Sequence, residues 1–529
     1  MTDAHQTVAD RFAATASLDS GRPFLLVVPD TARAYGIAPG TISYGEAAGQ
    51  VARLREGYAA AGYGAGHRVG LMLENRPAFF LHWLALNGLG VSVVPLNPDL
   101  RPAELAYLVT HSEMALAVTA APHLQRLAGM SVPAIIDGDA PPAVGRAAEA
   151  HSVGRDSECA LLYTSGTTGK PKGCVLSNDY YLRAGLWYAR IGGLCALHEG
   201  DRLITPLPLT HMNAMAYSSM AMIVTGGCIV QLDRFHPRTW WNSVRESGAT
   251  IVHYLGVMPS MLLNAPPDPK DRDHAVRFGF GAGVDRRHHA AFEARFGFPL
   301  IEAWAMTETG AGAVVIANRE LRHVGTSCFG RPEPEVETRI EADGELLVRA
   351  AGPDPRAGFF TEYLKDKEAT EAAWAGGWFH TGDLVRRDEE GFLYFVDRKK
   401  NIIRRSGENI SAVEVESVLR RHTLVAEVAV AAAPDPVRGE EVLACIVPRE
   451  AIADKPAAAA EITRAALAEL SYFKVPGWIA FLDALPITAS QKVARGELKS
   501  LAAQLVADGN CVDVRHLKRR DAHAAAERA

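Results

Sequence analysis

The chain has 529 residues, too long for one hydrophobic core, so two or more domains are expected. It is 48% hydrophobic and 22% charged, with a net charge of −6, which provides no electrostatic footprint for nucleic acid. The seven cysteines lie far apart with no CxxC pair, which argues against a zinc site or a disulfide framework and suits a reducing compartment.

MTDAHQTVADRF lacks a charged start followed by an apolar run, so no signal peptide is expected. Apolar stretches such as FFLHWLALNGLGVSVVPL are broken by Gly, His and Asn before reaching membrane-spanning length. The expectation is a cytoplasmic, multidomain protein, whose oligomeric state the sequence leaves open. From about residue 40 to 350, short apolar runs alternate with helical patterns. RVGLML (68–73) reads as a strand, PAFFLHWLALNGLG as a helix ending in Gly, and VSVVPL as the next strand. This is βαβ grammar, and it recurs at CIVQL, TIVHYLGV and FPLIEAWAM, predicting mostly parallel sheets covered by helices. APPDPKDRD (265–273) reads as a surface loop. Around 340–400, ETRIEADGELLVRA and EEGFLYFVDRKK read as antiparallel strands with Asp-Gly and Glu-Gly turns, a small β-subdomain. Beyond Lys400 lies a compact α+β pattern with a helix through 459–470. The polar run DRKKN separates the two patterns. The expected division is an N-terminal domain over 1–398, a hinge at 399–400, a C-terminal domain over 401–508 and a tail over 509–529.

Four stretches carry chemistry. YTSGTTGKPKG (163–173) is not a Walker loop: only two residues separate Gly166 from Gly169 where that motif has four, and Pro171 stands where a helix would begin. With strand-like CALLYT before it and GCVLS after it, the loop joins two strands. Its glycines permit a nest of N–H groups, Thr164, Ser165, Thr167 and Thr168 can donate to phosphate, and Lys172 supplies charge. A Gly/Thr surface turn would look similar. In AWAMTET (303–309), Trp304 can stack on a base, Thr307 touch phosphate and Glu308 hold a divalent metal. Taken alone, these read as a buried aromatic and a solvated carboxylate. In WFHTGDLVRRDEEGFLYFVDRKK, Asp383 offers two oxygens to a vicinal diol and Arg398 can reach the same sugar, against the plainer readings of a turn cap and a surface charge. Lys492, in LPITASQKVARGEL, carries no function by itself.

Together these stretches, with LPLTHMNA (207–214), GELLVR (344–349) and FVDRKKNIIRRSGENIS, resemble the adenylate-forming superfamily of acyl-CoA synthetases, nonribosomal-peptide adenylation domains and firefly luciferases. They occur in that family's order over nearly the whole chain. FVDRKKNIIRRSGENIS and RFGFGAGVD look most like the bacterial acyl-CoA ligases that include crotonobetaine/carnitine-CoA ligase.

The resemblance implies two half-reactions using ATP, Mg²⁺ and coenzyme A, in which a carboxylate takes AMP from ATP and a thiol then displaces the AMP. By position, Thr164 to Lys172, including Gly166 and Gly169, would hold phosphates, and Glu308 with Thr307 would hold Mg²⁺. Gly281, Ala282 and Gly283 would line adenine and the acyl group. Trp304 stands where an adenine-stacking Tyr is usual. Asp383 and Arg398 would bind ribose, and Lys492 would bridge the carboxylate and the α-phosphate. Lys400 matches the hinge, Gly407 the thiol tunnel, and Arg404 and Asn409 contacts to AMP or carboxylate in one state. His211, Met212, Asn213, Ala303 and Ala305 fall at the acyl pocket. Ala303 and Ala305 replace common glycines, and Gln491 replaces a Gly before the lysine, but no reacting group is lost.

LPLTHMNAMAYSSM has no acidic residue to pair with an α-ammonium, so an amino acid is not the expected substrate. A short to medium-length aliphatic or aromatic acid is. A carnitine-like ammonium would need an aromatic or acidic partner, for which Trp187 and Tyr188 are available. An acyl-AMP ligase that loads a carrier protein, and a non-catalytic nucleotide-binding homologue, stay open beside the acyl-CoA ligase.

Overall fold

The computed structural model describes residues 5–100, 102–150, 152–164, 171–405, 408–436, 438–488 and 492–518, without the side chains of Lys400, Arg404, Glu408 and Asn409. The βαβ grammar is realised as written. Strand Arg68–Met72, helix Pro77–Asn87 and strand Ser92–Pro95 follow one another, the two strands pairing in parallel. The helix starts with Pro at its first turn and is buried almost all round, through Phe79, Phe80, Trp83 and Leu84, because it lies inside the layered domain.

That unit belongs to a seven-stranded sheet, and a second sheet of eight strands packs beside it. In the second, Ile251–Leu255, Phe278–Ala282 and Leu300–Trp304 lie side by side in parallel, so their C-terminal ends open on one edge. In such sheets, that edge is where ligands bind. A five-stranded antiparallel sheet forms the β-subdomain. Its hairpin Val336–Ile340/Glu345–Ala350 turns at Asp343-Gly344, with Gly344 at φ 88. Phe379–Arg387 and Leu393–Arg398 complete it. The segment 265–273 is a loop, as expected.

Beyond residue 400, the hairpin Ile402–Arg405/Glu408–Ser411 leads into helix Ala412–Leu419 and the long antiparallel pair Val425–Asp435/Gly439–Pro448. This sheet has its own apolar clusters. One is built around Ile403, Val415, Val428 and Ile462, and the other around Leu443, Trp478 and Leu498. Neither merges with the N-terminal core. Separate cores are what two units able to move against each other require.

Two boundaries differ from the sequence reading. The helix expected over 459–470 runs Lys455–Leu467, because Asp454 caps it by accepting from the Ala457 N–H at 3.0 Å and Pro456 suits its first turn. Residues expected in the tail from 509 onward are partly structural. Strand Val512–Asp513 pairs with Trp478–Phe481, and buried Lys518 donates to Glu441 Oε1 at 2.7 Å. Glu441 also accepts from Arg405 Nε at 2.8 Å, so the chain's last described turn is anchored by a buried ion cluster.

Candidate active site

Asp383 and Arg398 are direct cross-strand neighbours in the β-subdomain, and Arg398 Nε lies 2.6 Å from Asp383 Oδ1. Gly382, at φ 66, lets the strand bend just before the carboxylate. Trp304, at the end of strand Leu300–Trp304, donates its indole N–H to Asp383 Oδ2 at 2.9 Å. Burial pushes the Asp383 carboxyl upward in pKa, against Arg398 and the Trp304 N–H. Trp304 thus meets, at one edge, two residues that follow it by about eighty and about ninety positions in the chain. Trp304 is buried and tilted against Phe329, with 6.1 Å between ring centroids.

Gly281, Ala282 and Gly283 end the adjacent strand. A Cβ on Gly281 would stand 2.3 Å from the Tyr254 carbonyl oxygen, and Gly283 has φ +77. Beneath them sits Glu302, which the sequence reading missed. Its Oε2 accepts from the Gly283 N–H at 2.9 Å, while Oε1 accepts from the Val284 N–H at 3.0 Å and the Tyr254 hydroxyl at 3.2 Å. Burial raises its pKa and these donors oppose the rise. The visible signal was a lone carboxylate inside the apolar run FPLIEAW.

Thr164 ends strand Glu158–Thr164 directly opposite Lys172, which opens Lys172–Ser177, so the loop between them does join two antiparallel strands. Ser165, Gly166, Thr167, Thr168 and Gly169 lie outside the described residues, as does Gln491. Lys172 Nζ stands 3.8 Å from Asp366 and 4.6 Å from the centre of the Tyr363 ring. The Tyr363 hydroxyl donates to Glu308 Oε1 at 2.9 Å, and the Thr307 carbonyl accepts from Tyr180 at 2.9 Å. Among the described residues, no group of three or more His, Cys, Asp or Glu could hold a metal ion. One buried, oriented carboxylate is nevertheless what Mg²⁺ needs when phosphates and water supply its other ligands. The residues fit that ion.

His211, in the segment between strands Arg202–Thr205 and Cys228–Gln231, is half-buried. Burial, and secondarily the charge of Lys492, lower its pKa to about 4, so its ring is neutral at physiological pH. Lys492 lies on an exposed loop whose backbone is held by Thr488, with the Lys492 N–H 3.2 Å from Thr488 Oγ1. Its pKa is lowered, first by loss of hydration around its ammonium and then by the charge of Arg398. The lysine from one domain is therefore in electrostatic reach of His211 and Arg398 from the other. Asn75, also missed, clamps the segment before His211. It donates to the carbonyls of Leu207 and Leu232 at 3.2 and 2.7 Å and accepts from the Leu209 N–H at 3.0 Å.

Asn213 Oδ1 lies 2.9 Å from His253 Nδ1, and His253 Nε2 lies 2.8 Å from the Tyr188 hydroxyl. Burial drops the His253 pKa to about 3. Tyr188 is thus committed to His253, while half-buried Trp187 packs against Tyr217 and Phe280, with centroids 5.4 and 6.3 Å away. Met212, Ala303 and Ala305 are partly buried and pack against the same core.

At the domain boundary, Lys399 Nζ lies 2.7 Å from both Asp343 and Glu345. Asp397 is fully buried and accepts from Asn401 Nδ2 at 3.2 Å, Ser411 Oγ at 2.6 Å and the Val413 N–H at 3.2 Å. One N-terminal carboxylate thereby holds the beginning of the C-terminal unit. Arg404 and Asn409 pair through their backbones in the hairpin; their side chains, that of Lys400, and Gly407 lie outside what is described.

A family model for the AMP-binding enzymes matches residues 28–353, and one for the AMP-binding enzyme C-terminal domain matches 414–492. A sulfoacetate–CoA ligase of Cupriavidus necator is 33% identical over 93% of this chain and 97% of its own length. A crotonobetaine/carnitine–CoA ligase of Citrobacter koseri is 31% identical over 86% and 93%. Among solved structures, the Bacillus subtilis o-succinylbenzoate CoA synthetase bound to its acyl-adenylate intermediate is similar with a TM-score of 0.79, at 27% identity over 92% of this chain and 97% of that one. The same synthetase with ATP and magnesium ion gives a TM-score of 0.77. Strand order, domain pair and sequence matches over most of the chain lead to one conclusion: this protein belongs to the family of AMP-binding enzymes.

Proposed function

We propose that the protein is an AMP-forming acid–thiol ligase that activates a short to medium-length carboxylic acid with ATP and passes the acyl group to coenzyme A. The single observation that carries this reading is Lys492. Delivered by the C-terminal domain, it is felt by His211 on the acyl side and feels Arg398 on the ribose side. A cation at that position neutralises the approach of two anions, a carboxylate and the α-phosphate, which is the electrostatic problem of the first half-reaction.

The other residues take roles consistent with it. Asp383 and Arg398 hold the ribose, Glu302 holds the backbone at Gly283 and Val284 against the base, and Lys172 and the hydroxyl-rich loop hold the leaving pyrophosphate. Glu308, aimed by Tyr363, would hold Mg²⁺, which would neutralise phosphate charge. The acid's oxygen attacks the α-phosphorus and pyrophosphate leaves. The thiol sulfur then attacks the acyl carbon, losing its proton, and AMP leaves. Because both steps act on one carboxyl group, first at its oxygen and then at its carbon, the lysine loop must withdraw for the thiol to enter, and the separate cores on either side of residues 399–400 suit that motion.

The side chains hydrogen-bonded around His253, namely Asn213, Ser218 and Tyr188, are neutral, and Ala303 and Ala305 are small. This supports an acid whose far end is uncharged, aliphatic or aromatic, over a sulfonate, which would require a cation there. Pyrophosphate release with ATP and Mg²⁺, over a panel of acids that includes sulfoacetate and crotonobetaine, tests the reading. An uncharged acid class whose turnover coenzyme A stimulates is the expected result. Release that coenzyme A never accelerates would favour loading of a carrier protein, and no release with any acid would oppose the ligase.

A further inference from the structure

The two oxygens of Asp383 are in different states. Oδ2 accepts the Trp304 indole N–H at 2.9 Å. Oδ1 is buried and 2.6 Å from Arg398 Nε, yet that contact lacks hydrogen-bond alignment, and Oδ1 has no hydrogen-bond partner among the described residues. The backbone beneath cannot shift to compensate. The Asp383 N–H is held by Thr381 Oγ1 at 3.0 Å, and that hydroxyl donates to the Leu346 carbonyl at 2.6 Å across the sheet. The remaining freedom is rotation of the carboxylate itself, and the indole N–H opposes it. A buried acceptor without a donor costs free energy until one arrives.

We infer that Trp304 is a positioning residue that aims Asp383 Oδ1 at the nucleoside, so that one ribose hydroxyl is recognised much more strongly than the other. The inference rests on Asp383 being the ribose-binding group. Its consequence is an asymmetric diol site, in which Oδ1, ion-paired with Arg398 but without an aligned hydrogen bond, is open to an incoming hydroxyl, while one of the two acceptor positions of Oδ2 is already taken by the indole N–H. A phenylalanine ring at 304 would preserve an aromatic surface and remove only the donor.

Calorimetric binding of AMP, 2′-deoxy-AMP and 3′-deoxy-AMP to the full chain tests this without any variant. One deoxy analogue should bind roughly 10-fold or more weakly than AMP, the range of a charge-assisted hydrogen bond, and the other within about 3-fold. Equal losses would overturn the inference. Trp304→Phe should weaken AMP binding roughly 10-fold and narrow the gap between the analogues. In an Asp383→Asn background the same substitution should add less than about 3-fold, because its partner is already changed. Full, independent effects in both backgrounds would mean that Trp304 acts on the base or on the fold, and would sink the idea. If Asp383→Asn alone leaves all three ligands unaffected, the ribose assignment itself has failed, a result distinct from additive effects.

Discussion

The nucleotide edge and the lysine loop are held in opposite ways. Asp383, Arg398, Trp304 and Glu302 all stand on strands, pinned by cross-strand register and by one another. Lys492 stands on an exposed loop of the other domain, its backbone tied by Thr488. On the roles proposed above, the difference separates what must be preorganised from what must leave. Groups that hold the nucleotide through both half-reactions lose least entropy when fixed in advance. The cation needed in only one of them is best carried on a part that can withdraw.

That contrast can be broken most sharply at Lys492. Lys492→Ala should lower the rate of acyl-adenylate formation by roughly 10²–10³-fold, the scale of removing one transition-state donor. Acyl transfer to coenzyme A from supplied acyl-adenylate should change by less than about 3-fold in the same variant. A comparable loss in both steps would mean that the loop does not withdraw. On the strand side, Glu302→Gln turns one oxygen that accepts a backbone N–H into a donor. It should cost about 1–3 kcal/mol of stability and weaken AMP binding together, read by thermal unfolding and calorimetry. Weakened stability with unchanged AMP affinity would sever Glu302 from the nucleotide edge.

A pH series sharpens the acyl side. His253 has its pKa lowered by burial from 6.5 to about 3, so the unfolded chain binds its proton more readily than the folded one. Its contribution is therefore intact above pH 6.5 and lost progressively as pH falls from 6.5 toward 3. Unfolding free energies measured between pH 7 and 4 should decline less steeply in His253→Gln, by about 1 kcal/mol per pH unit. Parallel slopes would show that another group carries the acid sensitivity. The smallest effect is expected at the boundary. Ser411→Ala removes a donor to Asp397 and the cap on the Glu414 N–H at 3.2 Å, costing about 1 kcal/mol. It should shift the ratio of the two half-reaction rates by a few-fold. An unchanged ratio would leave the Asp397 contact purely structural.

Much of this protein was legible in its sequence. Short apolar runs alternating with helical stretches located the βαβ units, because parallel strands under helices are buried on both faces, and Asp-Gly and Glu-Gly turns located the antiparallel hairpins. Motif order named the family, because residue type at fixed chain spacing carries the chemistry, and it singled out the groups at 172, 308, 383, 398 and 492 for the roles proposed here. Local signals were under-read at the Asp454 cap, and Lys518 looked like one more charge in a basic tail until its buried partner Glu441 was seen. Glu302, Tyr363, Asp397 and Asn75 carry no motif, and their roles are contacts between segments distant in the chain. Only the tertiary structure decided that Asp383 faces Arg398 in register, that Trp304 turns its N–H onto Asp383, and that Lys492 reaches the same cleft. Sequence determines which groups are present and how each local segment folds. Which oxygen meets which donor depends on strand register and domain placement, set by packing over hundreds of residues and invisible to any single stretch.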